Sequence, residues 1–360
     1  MNQPACAAGA APPRVWGWDL LRGLCALAVM GYHLLLWLEL ANGHTFGSYG
    51  VYLFFTLSGA SLAYTYGDRI RSTRAAGAFL ALRWWRLTPL FALVAVASVA
   101  LFSLHSGQLV DRLPLRAALN LSYAFGLYDP VTWSLPIGGW SLGIEFVYYL
   151  LFAPIMLALR HTVARWGLLL AAAALQWAWI AATIGGPEGY AAQAVAYHQV
   201  PAFGAYFVAG CLIGRQVRVR PPDGAFSGAA LAWLAMAGLL TALNPARAGD
   251  ELLGWRGLVL PVACVLVVWL SGRARVPTRL QPLAGWLGDI TYGSYLLHPV
   301  LFFSLTWFVL PQPLPDGAVR WLLAAAVALA ACLAAVASER WVEAPLRRRA
   351  RGWVQRWLGQ

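Results

Sequence analysis

The stretch DLLRGLCALAVMGYHLLLWLEL, residues 19–40, decides how the chain is read. As a helix it is long enough to cross ~30 Å of hydrocarbon, which takes about 20 residues. Yet Arg22 and His33 lie inside the apolar run. A charged group at bilayer depth is expensive and usually faces a protein interior or a wet cavity. Eleven residues at 3.6 per turn come within ~20° of three full turns, so the two share one helix face, ~16 Å apart along the axis. Taken alone, they also fit an arginine snorkelling to the headgroups and a histidine bonding a neighbouring helix.

The rest of the chain has the same character. Of 360 residues, 60% are hydrophobic and 11% charged, with a mean hydropathy of +0.63, whereas a soluble domain carries about 25% charged residues. Ten apolar runs recur, at 16–38, 49–66, 78–104, 137–159, 163–184, 197–214, 225–243, 253–270, 286–309 and 317–338. The expected fold is an all-α integral membrane protein of about ten transmembrane helices. The first helix exceeds a signal-peptide core and follows only one basic residue, Arg14, so it is expected to stay in the mature protein.

Net charge is +12 with no lysine. With the N-terminus inside, the inner segments hold 18 arginines and the outer ones five. That asymmetry places both termini in the cytoplasm, because basic residues near helix ends collect there. It explains the charge without nucleic acid. The chain divides into a cytoplasmic N-terminal segment (1–15), a transmembrane domain (16–338) and a basic amphipathic cytoplasmic tail (339–360). The tail's arginines and Trp341, Trp353 and Trp357 suit a helix lying on anionic lipid. With some twenty residues after the last span, no appended soluble enzyme domain is expected there. Segment 105–136, broken by Pro130 and Pro136, is expected to lie over the outer face without spanning. The five cysteines, Cys6, Cys25, Cys211, Cys264 and Cys332, lack metal-ligand spacing and read as small core residues.

Three arginines, Arg22, Arg83 and Arg86, fall inside spans at the same inner level, and Arg83 and Arg86 stand one turn apart. Guanidinium groups so placed suit bidentate phosphate binding; snorkelling is the alternative for each alone. In the fourth span Ser141 and Glu145 share a face, and Glu145 reaches the level of His33. A carboxylate beside an imidazole fixes its tautomer and makes a general base. The alternative is a structural partner for an arginine. Tyr292, Tyr295 and His298 follow at three-residue intervals in the ninth span, as substrate-orienting groups or interhelical hydrogen bonders. Ser58, Gly59 and Ser61 permit close helix approach; nothing local in the sequence would activate Ser58 as a nucleophile. His44, His105, His161 and His198 read as surface residues.

In order along the chain stand Arg22 and His33 with ten residues between them, GVYLFFTLSG, Arg83-x-x-Arg86, WSLGIEF, SYLLHP and VEAPLRR with Glu343 and Pro345. This ordered set resembles membrane acyltransferase family 3, whose members include bacterial O-acetyltransferases of surface polysaccharides. The resemblance covers essentially the whole chain and looks most like the short exopolysaccharide type. It implies ten or so helices in a bacterial inner membrane, acetyl-CoA as cytoplasmic donor, and an exopolysaccharide or lipid-linked oligosaccharide hydroxyl as acceptor. It also implies an essential arginine and histidine at Arg22 and His33 and an arginine pair at Arg83 and Arg86. The expected assignment is therefore His33 and Glu145 as catalytic pair, Arg22, Arg83 and Arg86 on the donor, and Ser141, Tyr292, Tyr295 and His298 toward the substrate, with no metal. The bilayer and polysaccharide assembly proteins are the expected partners. The rival from another class is a secondary transporter or flippase, though no repeat of the kind common in transporters is visible.

Overall fold

The structure, a computed structural model, describes residues 12–220, 222–310, 313–314 and 317–358. Cys6 and most of the expected N-terminal segment lie outside the described residues. Fourteen helices follow one another among them. The long ones are α1 (Trp16–Trp37), α2 (His44–Tyr66), α3 (Thr73–Ser106), α6 (Trp140–Ala158), α7 (Thr162–Ile184), α9 (Gly204–Val219), α10 (Phe226–Ala242), α11 (Arg256–Arg273), α12 (Gln281–Phe308), α13 (Ala318–Ser338) and α14 (Ala344–Leu358). Between them stand the short α4 (Leu113–Ser122), α5 (Pro130–Trp133) and α8 (Gly189–Tyr197). A two-residue parallel pair, β1 (Gly224–Ala225) and β2 (Ala274–Arg275), ties the start of α10 to the end of α11. Helix is what hydrocarbon demands, because a backbone group left unpaired in lipid costs several kcal/mol.

Every apolar run read from the sequence is occupied by a helix. Among the described residues, seven helical segments are long and apolar enough to cross a membrane: Trp16–Trp37, Thr73–Ser106, Trp140–Ala158, Thr162–Ile184, Val200–Val219, Arg256–Arg273 and Ala318–Trp357. Helix α10 is shorter, at 17 residues. Helices α2 and α12, at 23 and 28 residues, are long but less apolar. The run at 197–214 is shifted, since Pro201 sits in a 3₁₀ turn (Val200–Phe203) and the regular α9 begins at Gly204.

Helices α2 and α9 pack closely because glycines open the way. A Cβ on Gly59 would stand 2.2 Å from the carbonyl oxygen of Phe207, and one on Gly210 would stand 2.1 Å from that of Thr56. Small residues at such spacing are the usual means of close helix approach in lipid. By contrast, α7 buries only Gln176, Ile180 and Ile184 of its 23 residues, the pattern of a peripheral helix that shows its other sides to lipid.

The N-terminus of α1, the C-terminus of α2 and the N-termini of α3 and α12 meet at one end of the bundle. There Arg14 bonds Asp289 and the Gly285 carbonyl, and the Tyr64 hydroxyl donates to the Pro13 carbonyl. Ser72 caps α3 by accepting from the Ala75 amide. Helix α14 returns to this end: Arg74 donates to the Trp357 carbonyl, and Ala350 and Val354 are buried. The tail expected to lie on lipid is therefore docked on α3 along one side. At the opposite end, α4, a 3₁₀ turn and α5 form the non-spanning cover expected of segment 105–136, with Tyr123 and Phe125 packed in the core.

Candidate functional site

The N-terminal turn of α1 holds Asp19, buried at 7% exposure. A buried carboxylate needs cations, and Asp19 has two: Arg14 and Arg22, whose Nη1 stands 3.0 Å away. Arg22 also donates to the Ser61 hydroxyl on α2. Its fork is thus fixed by Asp19 and Ser61 before any ligand arrives.

Arg22 lines one side of a cavity of about 360 Å³ enclosed by α1, α2, α3, α6 and α12. Arg83 and Arg86 enter it from α3 and Arg351 from α14. Arg83 bonds the Tyr66 hydroxyl at 3.2 Å and lies over the Tyr66 ring, but its Nε is buried with no partner. Arg86 and Arg351 make no hydrogen bond or ion pair among the described residues. Arg351 follows the VEAPLRR segment on α14. Glu343, 3% exposed, accepts from Ser338 at 3.0 Å and sits 3.7 Å from Arg347, which also pairs with Glu339. These residues stabilise a π-helical turn (Glu339–Glu343) that sets the direction of α14. Turns of this kind are frequent at functional sites.

The cavity's carboxylate is Glu145. One of its oxygens accepts from both Ser58 and Tyr149 at 2.6 Å. Along α2 the lining runs from Tyr66 to Val51, ~22 Å at 1.5 Å per residue. The hollow is therefore a shaft, with its arginines at the Tyr66 end.

Ser141 and Tyr295 line the other end. The Tyr295 hydroxyl donates to the Gly138 carbonyl at 2.9 Å and shares a 3.0 Å bond with Ser141. Gly138 has φ +77°, a conformation open to glycine at no steric cost. Tyr292 also lines the shaft and spends its hydroxyl on the Leu87 carbonyl, 2.6 Å away. Beyond the same loop lies a second hollow of about 390 Å³, lined by Ser98, Arg116, Ser134, Leu135, Ile137 and Trp307 among others.

One turn past Tyr295, His298 meets His33: Nε2 of His298 and Nδ1 of His33 are 3.0 Å apart. Trp37 stacks on His33 at 5.1 Å between ring centroids and on His298 at 5.8 Å. Tyr295 and His298 have ring centroids 6.3 Å apart.

Seven of the nine residues singled out in the sequence thus line one cavity: Arg22, Arg83, Arg86, Ser141, Glu145, Tyr292 and Tyr295. His33 and His298 pair with each other outside it. The expected His33–Glu145 contact is not formed: Glu145 lies beside Ser58 and Tyr149, which donate to its Oε1, and Ser141, Tyr295 and His298 follow one another between the two. Ser58, which nothing local seemed to engage, has that carboxylate as its partner. His198, read as a surface residue, is buried between Trp140 and Tyr190. Among missed residues, Asp19 had a signal, standing three positions before Arg22, where i,i+3 ion pairs form. Tyr66, Tyr149 and Arg351 had none beyond their place in apolar or basic runs.

Compared with protein families, the chain matches the family model described as an acyltransferase domain over residues 15–338. No curated protein and no solved structure matches it.

Proposed function

Because the chain belongs to this acyltransferase family and is therefore an acyltransferase, we propose that it carries an acetyl group from acetyl-CoA to a sugar hydroxyl of an exopolysaccharide or its lipid-linked precursor. The observation that carries the donor assignment is the buried, unpartnered Nε of Arg83 beside an unpaired Arg86. A buried polar atom without a partner is costly, and phosphate oxygens supply what both guanidinium groups lack. Coenzyme A brings phosphates at one end and a long thin arm ending in the thioester at the other.

The shaft suits that shape. Its 360 Å³ is at the low end of the ~300–1,000 Å³ found for small-molecule pockets. It would take the pantetheine arm, with the nucleotide resting at the arginine mouth beside Arg351. The positive-inside rule supports a cytoplasmic position for that mouth, in what we take to be a bacterial inner membrane. The thioester would reach Ser141 and Tyr295, and the acceptor would come from the second hollow on the far side of loop 134–139. His33 would be the base that takes the hydroxyl proton, worth ~10²–10⁴-fold in rate. Arg22, neutralised by Asp19, would shape the donor wall more than bind charge.

The test uses the purified protein in lipid nanodiscs with acetyl-labelled acetyl-CoA, together with mass analysis of surface polysaccharide from cells with and without the gene. Saturable donor binding, and loss of an acetyl group from the polysaccharide when the gene is deleted, are expected. Solute uptake or glycolipid flipping without any donor binding would overturn the assignment in favour of a transporter.

A further inference from the structure

Nδ1 of His298 lies 3.1 Å from the carbonyl oxygen of Ser294, one turn back on α12. Pro299 follows directly, and it lacks the N–H that would otherwise occupy the next carbonyl. A carbonyl only accepts, so Nδ1 of His298 carries a proton. A neutral imidazole has one N–H and one lone pair, which leaves the lone pair of His298 on Nε2. That atom faces Nδ1 of His33 at 3.0 Å. With both rings neutral the contact works in one direction: His33 donates from Nδ1. The lone pair of His33 is then on Nε2, for which the structure shows no hydrogen-bond partner among the described residues.

The ring geometry agrees with an in-plane bond. The planes of His33 and His298 are within 16°, and their centroids are 5.2 Å apart, the separation of two rings meeting edge to edge across a 3.0 Å contact. Trp37 lies within 6° of the plane of His33 and 21° of that of His298, so one indole holds both planes. His298 is 1% exposed and out of reach of substrate.

We propose that His298 is a positioning residue that fixes His33 as the Nδ1–H tautomer and so makes Nε2 the basic atom. The proposal rests on the acetyl-transfer function for its catalytic consequence, though not for the tautomer itself. In the transfer step the acceptor oxygen gives its proton to Nε2 of His33 and bonds to the thioester carbonyl carbon. The carbon–sulfur bond breaks, and the departing thiolate takes that proton to leave as coenzyme A thiol. Throughout, the Nδ1–H of His33 stays hydrogen-bonded to Nε2 of His298, which also steadies the transient imidazolium. His298 thus does what the sequence assigned to Glu145. An imidazole's tautomer is set by the bond its other nitrogen makes.

The experiment is ¹⁵N NMR of histidine-labelled protein in nanodiscs, with the His33 signals assigned by their loss in His33→Gln, alongside steady-state kinetics. In the unsubstituted protein, Nδ1 of His33 is expected to be the protonated nitrogen; a proton on Nε2 at neutral pH overturns the proposal whether or not the protein transfers acetyl. His298→Leu removes the acceptor and is expected to lower kcat ~10²-fold while leaving the KM for acetyl-CoA unchanged. His298→Gln can offer an amide oxygen where Nε2 stood, and is expected to keep the Nδ1–H tautomer and recover kcat to within ~10-fold of the unsubstituted protein. Equal kcat values for the Leu variant and the unsubstituted protein would overturn the proposal. So would a Gln variant as impaired as the Leu variant despite native-like spectra.

Discussion

The two ends of the site are finished to different degrees. At the arginine end, Arg83 keeps an orphaned Nε, and Arg86 and Arg351 have no hydrogen-bond or ion-pair partner among the described residues, with Glu145 the one carboxylate among the described residues lining the cavity. At the histidine end, each ring nitrogen of the His33–His298 pair but one has its partner, and Trp37 clamps both planes. A group left unsatisfied at cost is waiting for a ligand that brings the missing charge. A group already satisfied and locked is arranged for a step in which little has to move. Under the proposed function, the contrast fits binding at one end and chemistry at the other.

The largest effect that could break this division is at His33. His33→Ala is expected to lower kcat by ~10²–10⁴-fold with donor KM unchanged, and a rise in KM with kcat intact would erase the distinction. Arg83→Ala and Arg86→Ala should do the reverse. A charge-assisted hydrogen bond is worth ~1.5–3 kcal/mol, so KM for acetyl-CoA should rise ~10–100-fold with acceptor KM steady, as read from initial rates varied in each substrate. Gly138→Ala acts on the loop where the two ends meet. The φ of +77° costs an alanine ~1–2 kcal/mol, which should appear as a melting point a few degrees lower and a few-fold loss of kcat. Arg351→Ala should have the smallest effect, about two- to five-fold in donor KM, because an exposed ionic contact contributes ~0.2–1 kcal/mol.

Much of the molecule was legible because hydrocarbon imposes a simple rule on sequence: apolar runs became helices at every place expected. The helices that hydropathy undervalues are informative. Helix α2 carries Ser58, Ser61, Thr65 and Tyr66 into the cavity, and α12 carries Thr291, Tyr292 and Tyr295. Their apolarity is diluted because their polar residues face a site and not lipid. The clustering of Arg22, Arg83 and Arg86 was legible as well, since rise per residue fixes depth. Rise does not fix azimuth. Nor does it fix where a helix begins: Glu145 bonds Ser58, one turn from the Ser61 that Arg22 holds, whereas Tyr32, beside His33, packs on Gly47 far earlier on α2, so the expected common level is not kept and the partner of His33 is His298. The opening stretch likewise held Asp19 in plain view. What it concealed was that Arg22 would be neutralised by that carboxylate, and so be the least available of the three cations.

Helix α14 has a consequence for how the protein is made. Arg22 and Arg351 line the same cavity but are separated by more than 300 residues of chain. At ~5–20 residues per second, on the order of tens of seconds pass between their syntheses. During that interval the earlier helices can already be in the bilayer with Arg83 and Arg86 lacking the wall that α14 supplies. Insertion and competence are therefore separate events. A chain interrupted before residue 351 can occupy the membrane in full and still lack one wall of the cavity.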